Sequence, residues 1–240
     1  MNIDELKSEL DQIKDEKYNL LKLINHDIRS PFNRVFALLQ LLEMESKEVS
    51  ETQKEYIDSM YLSILGGLEM ITNLRDMREI DAGNIEIENQ KFDLIHTIQT
   101  AIRTFSKQCE IKKLIIKAQL SVDQAPINSD EYYVQRIIEN TISNAVKFSG
   151  KDKDIIVRLS KNDAQYSIEI QDFACGINLD EEHLLYEKFK KLSSFASGGE
   201  GSLGLGLHNS NYLLNKLKGS ISLQRNDQPG SSFILRFLIQ

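Results

Sequence analysis

Cysteine and histidine are scarce in this chain. Cys109 and Cys175 are the only cysteines in 240 residues and form no CxxC pair. That spacing excludes a disulfide frame or a zinc ribbon and predicts reduced thiols in a cytosolic setting. Four histidines without paired ligand spacing also exclude a transition-metal enzyme. No apolar run approaches the ~18–20 residues that cross a bilayer. The N-terminus is a charged helical pattern rather than a signal peptide. Positive charge is short too, with 29 Lys and Arg against 36 Asp and Glu, a net charge of −7. A nucleic-acid binder needs a basic face to displace phosphate counterions, and an anionic lipid surface asks for the same. The expectation is therefore a cytoplasmic segment with no nucleic-acid partner and no membrane contact of its own, although a longer protein could be membrane-anchored. Internal repeats and low-complexity tracts are absent as well.

Apolar residues make up 41% of the chain, enough for a packed core. They fall into two different patterns. Over the first segment, Ile3, Leu6, Leu10, Ile13, Lys17, Leu20 and Ile24 recur three and four apart among charged residues. This is the seam of a coiled coil or the start of a helical bundle, weakened locally by Lys17. Helical periodicity continues to about residue 45, with Pro31 deleting one backbone hydrogen bond and predicting a bend. A polar stretch over 46–53 interrupts it. A second helix is predicted over 54–80, with Ile57, Tyr61, Ile64, Leu68, Ile71 and Leu74 on its apolar face and Gly83 as a left-handed cap. One partner helix cannot cover such a stripe. Two hairpins forming a four-helix bundle can, which predicts a homodimer.

Beyond Gly83 the pattern alternates between strands and helices. Strands are expected at 85–88, 114–120, 154–160, 165–171, 220–225 and 231–238. Helices are expected at 93–108, 130–146 and from about residue 204. A loop-rich stretch over 178–203 holds one short helical piece around Phe189. The fold class is α+β: a dimeric helical hairpin followed by an α/β sandwich. The domains are a leading coiled-coil helix over 1–20, a hairpin over 21–84 and a sandwich over 85–240.

Four constellations carry chemistry. The first is His26-Asp27-Ile28-Arg29-Ser30-Pro31. A histidine becomes a nucleophile when one ring nitrogen is free and a carboxylate takes the proton from the other. By itself the pair also fits an ordinary helix surface. The second places Asn140, Asn144 and Lys147 at i, i+4 and i+7, on one face of one helix. Amide oxygens suit Mg²⁺ and a lysine suits phosphate, though a solvated polar face looks the same. The third runs a strand into Asp172, with Gly176 four residues on. A carboxylate there can accept from an adenine amine while the glycine lets backbone approach the base; a plain strand-to-loop turn is the other reading. The fourth is Gly198-Gly199-Glu200-Gly201-Ser202-Leu203-Gly204-Leu205-Gly206-Leu207, a glycine-rich loop opening onto a helix. Backbone amides at a helix start bind phosphate, but no Lys-Ser/Thr follows as in a Walker loop.

In this order the four resemble the transmitter core of bacterial sensor histidine kinases, whose ATP domain is shared with gyrase-, Hsp90- and MutL-type ATPases. Residues 26–31 resemble the family's H box, 140–149 its N box, 172–177 and 201–207 its two glycine boxes and 186–191 its F box. The resemblance spans nearly the whole chain. It implies that His26 is the phosphoacceptor and Asp27 its general base. It implies that Asn140 and Asn144 hold Mg²⁺ and that Asp172 and Gly176 receive adenine. Lys147, Lys191, Gly201, Gly204 and Gly206 would attend the phosphates, and Phe189 would anchor the loop between them. ATP and Mg²⁺ are the implied cofactors, and a response-regulator receiver is the implied partner. Four positions depart from the family pattern. Ala174 replaces a glycine, Lys191 a common arginine and Tyr186 a common phenylalanine. Ser30 stands where threonine or asparagine usually supports phosphatase activity, so its hydroxyl is the group left to orient a water. Two rival readings remain at this level: a degenerate kinase that only docks a regulator, and a non-kinase ATPase clamp of the same superfamily.

Overall fold

The computed structural model describes residues 3–45, 49–192, 201–225 and 230–239. Several side chains of the first helix, those of His26 and of Ile3, Leu6, Leu10, Lys17 and Ile24 on the seam among them, lie outside the described set. The chain divides into two compact units, Met1–Ile85 and Glu86–Gln240. Among the described residues no helix is long and apolar enough to cross a membrane.

The first unit is a helical hairpin. Helix α1 (Ile3–Glu45) is one continuous element that contains Pro31 and shows no break at residue 20. Helix α2 (Glu51–Ala82) starts earlier than its apolar pattern. Ser50 and Gln53 explain this with a reciprocal capping box: the Ser50 hydroxyl accepts from the Gln53 N–H at 3.2 Å, and the Gln53 side chain accepts from the Ser50 N–H at 2.9 Å. Gly83 ends α2 in the left-handed region at φ 71°, donating to Ile80 at 3.1 Å. Ile57, Tyr61, Ile64, Ile71, Met77 and Ile80 are buried, whereas Leu68 and Leu74 are only half-buried. Leu39 is buried on α1, and Phe36 meets Tyr61 edge-on at 5.4 Å. Gly66 and Gly67 sit mid-helix in α2, where each costs about 1 kcal/mol relative to alanine.

The second unit is the sandwich. Five strands form one sheet in the order β2 (Ile115–Leu120), β4 (Asp154–Lys161), β5 (Gln165–Gln171), β7 (Ser231–Leu238), β6 (Ser220–Arg225). Among the described residues only β2 and β4 pair in parallel. Alternation sets the two faces. On one face Val157 pairs with Ile170, Ile168 with Leu235 and Tyr166 with Phe237, all buried. On the other face Arg158 bridges Glu169 at 3.1 Å and Gln171 at 2.8 Å. Helix α5 (Glu131–Phe148) lies against the sheet between α3 (Leu94–Thr104) and α6 (Gly206–Lys216). Its buried side carries Val134, Ile137, Ile138 and Ile142, as the sequence pattern implies.

Three expectations need correction. The 85–88 stretch is not a strand. The strand is β1 (Gln90–Asp93), which pairs with an unanticipated β3 (Pro126–Ser129) in a separate two-stranded sheet. The Glu88 N–H instead donates to the Asp130 carboxylate at 2.9 Å. The 93–108 helix breaks at the buried Phe105, whose backbone at φ −97° and ψ 5° leaves the helical range, into α3 and α4 (Ser106–Lys112). The helical piece near Phe189 is a 3-10 helix at Leu179–Leu184, and Phe189 itself has φ 61°, which no right-handed helix accommodates.

Candidate nucleotide site and phosphoacceptor helix

In the sandwich, α5 is the platform. Asp130 caps it, accepting from the Tyr133 N–H at 3.1 Å while its other oxygen takes Glu88. Asn140 is 3% exposed and donates its amide to the Ser210 hydroxyl of α6 at 3.4 Å. That bond commits the amide nitrogen and leaves the carbonyl oxygen as the group available to a cation. Asn144 is half-buried one turn on, and Lys147 is 6% exposed in the last turn. The adjacent Glu139 is not a free base: it pairs with Arg136 at 3.1 Å and accepts from Gln135 at 2.8 Å.

Lys112, which the sequence did not single out, secures the far end of this helix. It is 3% exposed and donates to the backbone carbonyls of Val146 at 2.6 Å and Lys147 at 3.1 Å. These are among the last carbonyls of α5, which have no partner within the helix. Its positive charge also opposes the negative end of the helix dipole. Burial pushes the nearby Cys109 thiol up to about 11, partly offset by the Lys112 charge.

Asp172 follows directly after β5. Its Oδ1 accepts from the backbone N–H of Ala174 at 3.0 Å and of Ser231 at 3.2 Å. Among the described residues Oδ2 accepts nothing, so it is the oxygen open to a ligand. Burial raises the carboxyl above the usual carboxylate range, and the two backbone donors work against that rise. Two glycines shape the turn around it. Gly176 has φ 80°, and a side chain there would press on the Gly230 carbonyl at 3.3 Å. Gly230 has φ 130°, and a Cβ there would overlap the Asp172 carbonyl oxygen. Gly230 is not singled out by the sequence analysis. The Gly-Ser pair at the start of the last strand is the signal that marks it.

The phosphate-loop candidates gather at the start of α6. Gly206 is its first residue, and no side chain caps that end. Gly204 has φ 67°, and a Cβ there would overlap the Lys190 backbone oxygen. The Phe189 N–H donates to the Gly204 carbonyl at 3.1 Å. The Phe189 ring is 57% exposed, so its anchoring is through backbone. A second tie joins His208 Nδ1 and the Tyr186 carbonyl at 2.8 Å, and burial followed by the Glu182 charge raises the Tyr186 hydroxyl. Gly201 and Lys191 are exposed. Gly198, Gly199 and Glu200 lie outside the described residues.

In the hairpin, His26, Asp27, Ser30 and Pro31 lie on the backbone of α1, and the side chains of Asp27 and Ser30 are exposed. The structure thus draws Asn140 to α6, Asp172 to Gly176 and Gly230, and Phe189 to Gly204, each within the sandwich.

A helical hairpin joined to an α/β sandwich with these features defines a class: a phospho-acceptor hairpin carried with its own ATPase-type domain. Residues 16–83 match the His Kinase A (phospho-acceptor) domain, and residues 129–240 match the histidine kinase-, DNA gyrase B-, and HSP90-like ATPase. The chain belongs to the sensor histidine kinases and is a transmitter core of that family. Hybrid signal transduction histidine kinase B of Dictyostelium discoideum is 27% identical over 238 residues, covering 97% of this chain and 12% of that protein. Signal transduction histidine-protein kinase BarA of Escherichia coli strain K12 is 27% identical over 223 residues, 90% of this chain and 24% of that one. The chain therefore spans an eighth to a quarter of the length of these curated relatives. Two solved structures share the fold. Full-length ShkA in complex with AMPPNP matches with a TM-score of 0.66 at 20% identity, over 92% of this chain and 46% of that one. The Acinetobacter baumannii histidine kinase AdeS matches with a TM-score of 0.59 at 18% identity, over 90% of this chain and 98% of that one.

Proposed function

We propose that this chain uses Mg-ATP to phosphorylate its own His26 and then passes the phosphoryl group to an aspartate of a response-regulator receiver. The observation that carries this reading is Asn140. A buried amide, not a carboxylate, heads the candidate metal face, and the neighbouring Glu139 is held by Arg136 and Gln135. Among the described residues the candidate metal face presents no free base to activate water. That favours transfer to a protein nucleophile over ATP hydrolysis and disfavours the ATPase-clamp reading. The donor set fits Mg²⁺: the oxygens of Asn140 and Asn144 are hard, neutral ligands that leave room for water and phosphate. Bound there, the ion would neutralise charge developing on the γ-phosphoryl.

The remaining roles belong to the chain's own groups. Oδ2 of Asp172 accepts from the adenine amine, with Gly176 giving the base close backbone approach. Lys147 and the uncapped start of α6 receive phosphate oxygens. Asp27 takes the proton from the far nitrogen of the His26 imidazole as the other attacks, a contribution typically worth ~10²–10⁴-fold. The exposed apolar side chains of α1, such as Leu38 and Leu41, are covered by a second copy in a four-helix bundle. The leading coil over 1–20, the hairpin over 21–84 and the sandwich over 85–240 are the working parts. Helix packing at the coil would set how often ATP reaches His26.

Incubation with γ-labelled ATP tests the proposal. Acid-labile, base-stable protein label that disappears in His26→Ala is the expected result. Free phosphate without protein label would replace the reading with the ATPase, and absence of nucleotide binding would replace it with the docking scaffold.

A further inference from the structure

Helix α1 carries a proline at position 31, and α2 carries adjacent glycines at 66 and 67. The two features lie level with each other. The ring of Phe32, the residue after Pro31, rests on Gly67. A Cβ built there would overlap ring carbon Cε1 and lie 2.9 Å from Cδ1 and 3.0 Å from Cζ. One turn along α1, Phe36 meets the Tyr61 ring edge-on at 5.4 Å. The part of α1 beyond Pro31 is therefore seated on α2 by two aromatic rungs. The rung at Phe32 exists only because residue 67 has no side chain.

On the other side of Pro31 the helix is weaker. The pyrrolidine nitrogen has no hydrogen for the Asp27 carbonyl, its acceptor four residues back, so one backbone bond of that turn is missing. Residues 27–31 are exposed. The turn that bears His26 and Asp27 is thus joined through a softened helical turn to a seated base.

We propose that Gly67 is a positioning residue for the phosphoacceptor: by admitting the Phe32 ring, it sets the rotation at which α1 presents His26 and Asp27. The inference rests on His26 being the phosphoacceptor. Adding one methyl at position 67 displaces the ring and, through it, the backbone beside Pro31. Group transfer is sensitive to such shifts, since a misplacement of about 1 Å can cost on the order of 10²-fold in rate.

The test uses the whole chain and saturating γ-labelled ATP. Gly67→Ala is expected to slow His26 labelling by at least roughly tenfold while leaving nucleotide affinity and dimerisation unchanged. Adding Phe32→Leu, which shortens the side chain facing the new methyl, restores labelling to within about threefold of wild type. Phosphoramidate, a small donor that needs no nucleotide domain, modifies His26 equally in all variants as read by mass spectrometry. That separates rotation of the nucleophile from its exposure. If Gly67→Ala does not fold, Phe32→Leu alone empties the seat without a clash and should slow labelling roughly threefold or more. Labelling at the wild-type rate in the folded variant overturns the positioning role. So does a loss that Phe32→Leu leaves unrepaired, or one shared with phosphoramidate. A wild-type chain unlabelled at His26 would remove the phosphoacceptor reading itself, and this inference with it.

Discussion

The hairpin and the sandwich solve burial in opposite ways. In the sandwich, Leu94, Ile98, Ile137, Ile138, Ile155, Ile168 and Leu235 are fully buried within one unit. Its strands, four described α-helices and small side sheet close a core within the unit. In the hairpin, Ile28, Val35, Leu38, Leu41 and Leu42 are exposed on α1, while Asn73, Asp76 and Arg78 are buried on α2. Arg78 lies over the Tyr18 ring at 4.9 Å and pairs with Glu79. Two helices have too little facing surface to cover an apolar stripe, so the hairpin leaves on α1 the apolar surface that the proposed second copy would cover, whereas the sandwich buries its own. A unit that must find a partner can be regulated through that partner, whereas a self-contained unit can hold a ligand site at fixed geometry.

The sharpest break of this contrast is in the hairpin. Replacing Leu38 and Leu41 together by aspartate removes two buried anchors of the proposed dimer, about 4 kcal/mol or more. Self-association measured by sedimentation should weaken by roughly 10³-fold, while nucleotide affinity stays as it was. Retained dimerisation would mean that this face of α1 is not the interface.

Next comes the sandwich's own weak point. Lys112→Met leaves the carbonyls of Val146 and Lys147 without their ammonium donor, at about 2–4 kcal/mol. Urea unfolding of the 86–240 unit should show this loss, with the hairpin transition unmoved.

Asp172→Asn tests the ligand site inside the rigid unit. It replaces the proposed acceptor for an adenine amine by a group that can present its own N–H₂, and ATP should bind roughly 10–100-fold more weakly, about 1.4–2.8 kcal/mol. Isothermal titration reads this directly. Stability should move the other way. An acid whose pKa rises on folding stabilises the fold below its unfolded range and loses that contribution as pH rises through the folded value. The ligand-free Asp172→Asn domain should therefore be more stable than wild type at neutral pH, and the difference should vanish as the pH falls through the carboxylate range. A difference that grew on acidification would assign the strain at Asp172 to something other than burial.

The smallest effect is at the junction of the units. Gly83→Ala forces a Cβ into φ 71° and should lower hairpin stability by about 1 kcal/mol, visible as a shift of a few degrees in the thermal midpoint.

Legibility also differed between the units. The hairpin's helices were readable because 3.6-residue periodicity persists for many turns, and Gly83 announced its own conformation. The start of α2 was misplaced because its signal is the Ser50/Gln53 capping pair, which precedes the apolar pattern. In the sandwich, long alternating strands such as β5 were plain. The separate pair of β1 and β3 was not, since four-residue strands carry too few alternations to register. Around the candidate site, Asn140, Asp172 and Gly204 were visible as types at spacings. Ser210, Lys112 and Gly230 were not, because each acts on a residue 20 or more positions away: Ser210 on Asn140, Lys112 on Val146, Gly230 on Asp172.

What the amino-acid order alone determined is everything that rests on local periodicity and residue chemistry: two helices, a mixed sandwich, a histidine beside a carboxylate and an amide-bearing helix. Only the tertiary structure decided which polar groups are committed and which are free. That Asn140 spends its amide on Ser210, that Lys112 holds the last carbonyls of α5 and that a ring occupies the absent side chain of Gly67 are facts of packing between distant segments. Chain neighbours set a residue's conformation, but its hydrogen-bond partners and its room to move are set by whatever the fold brings against it.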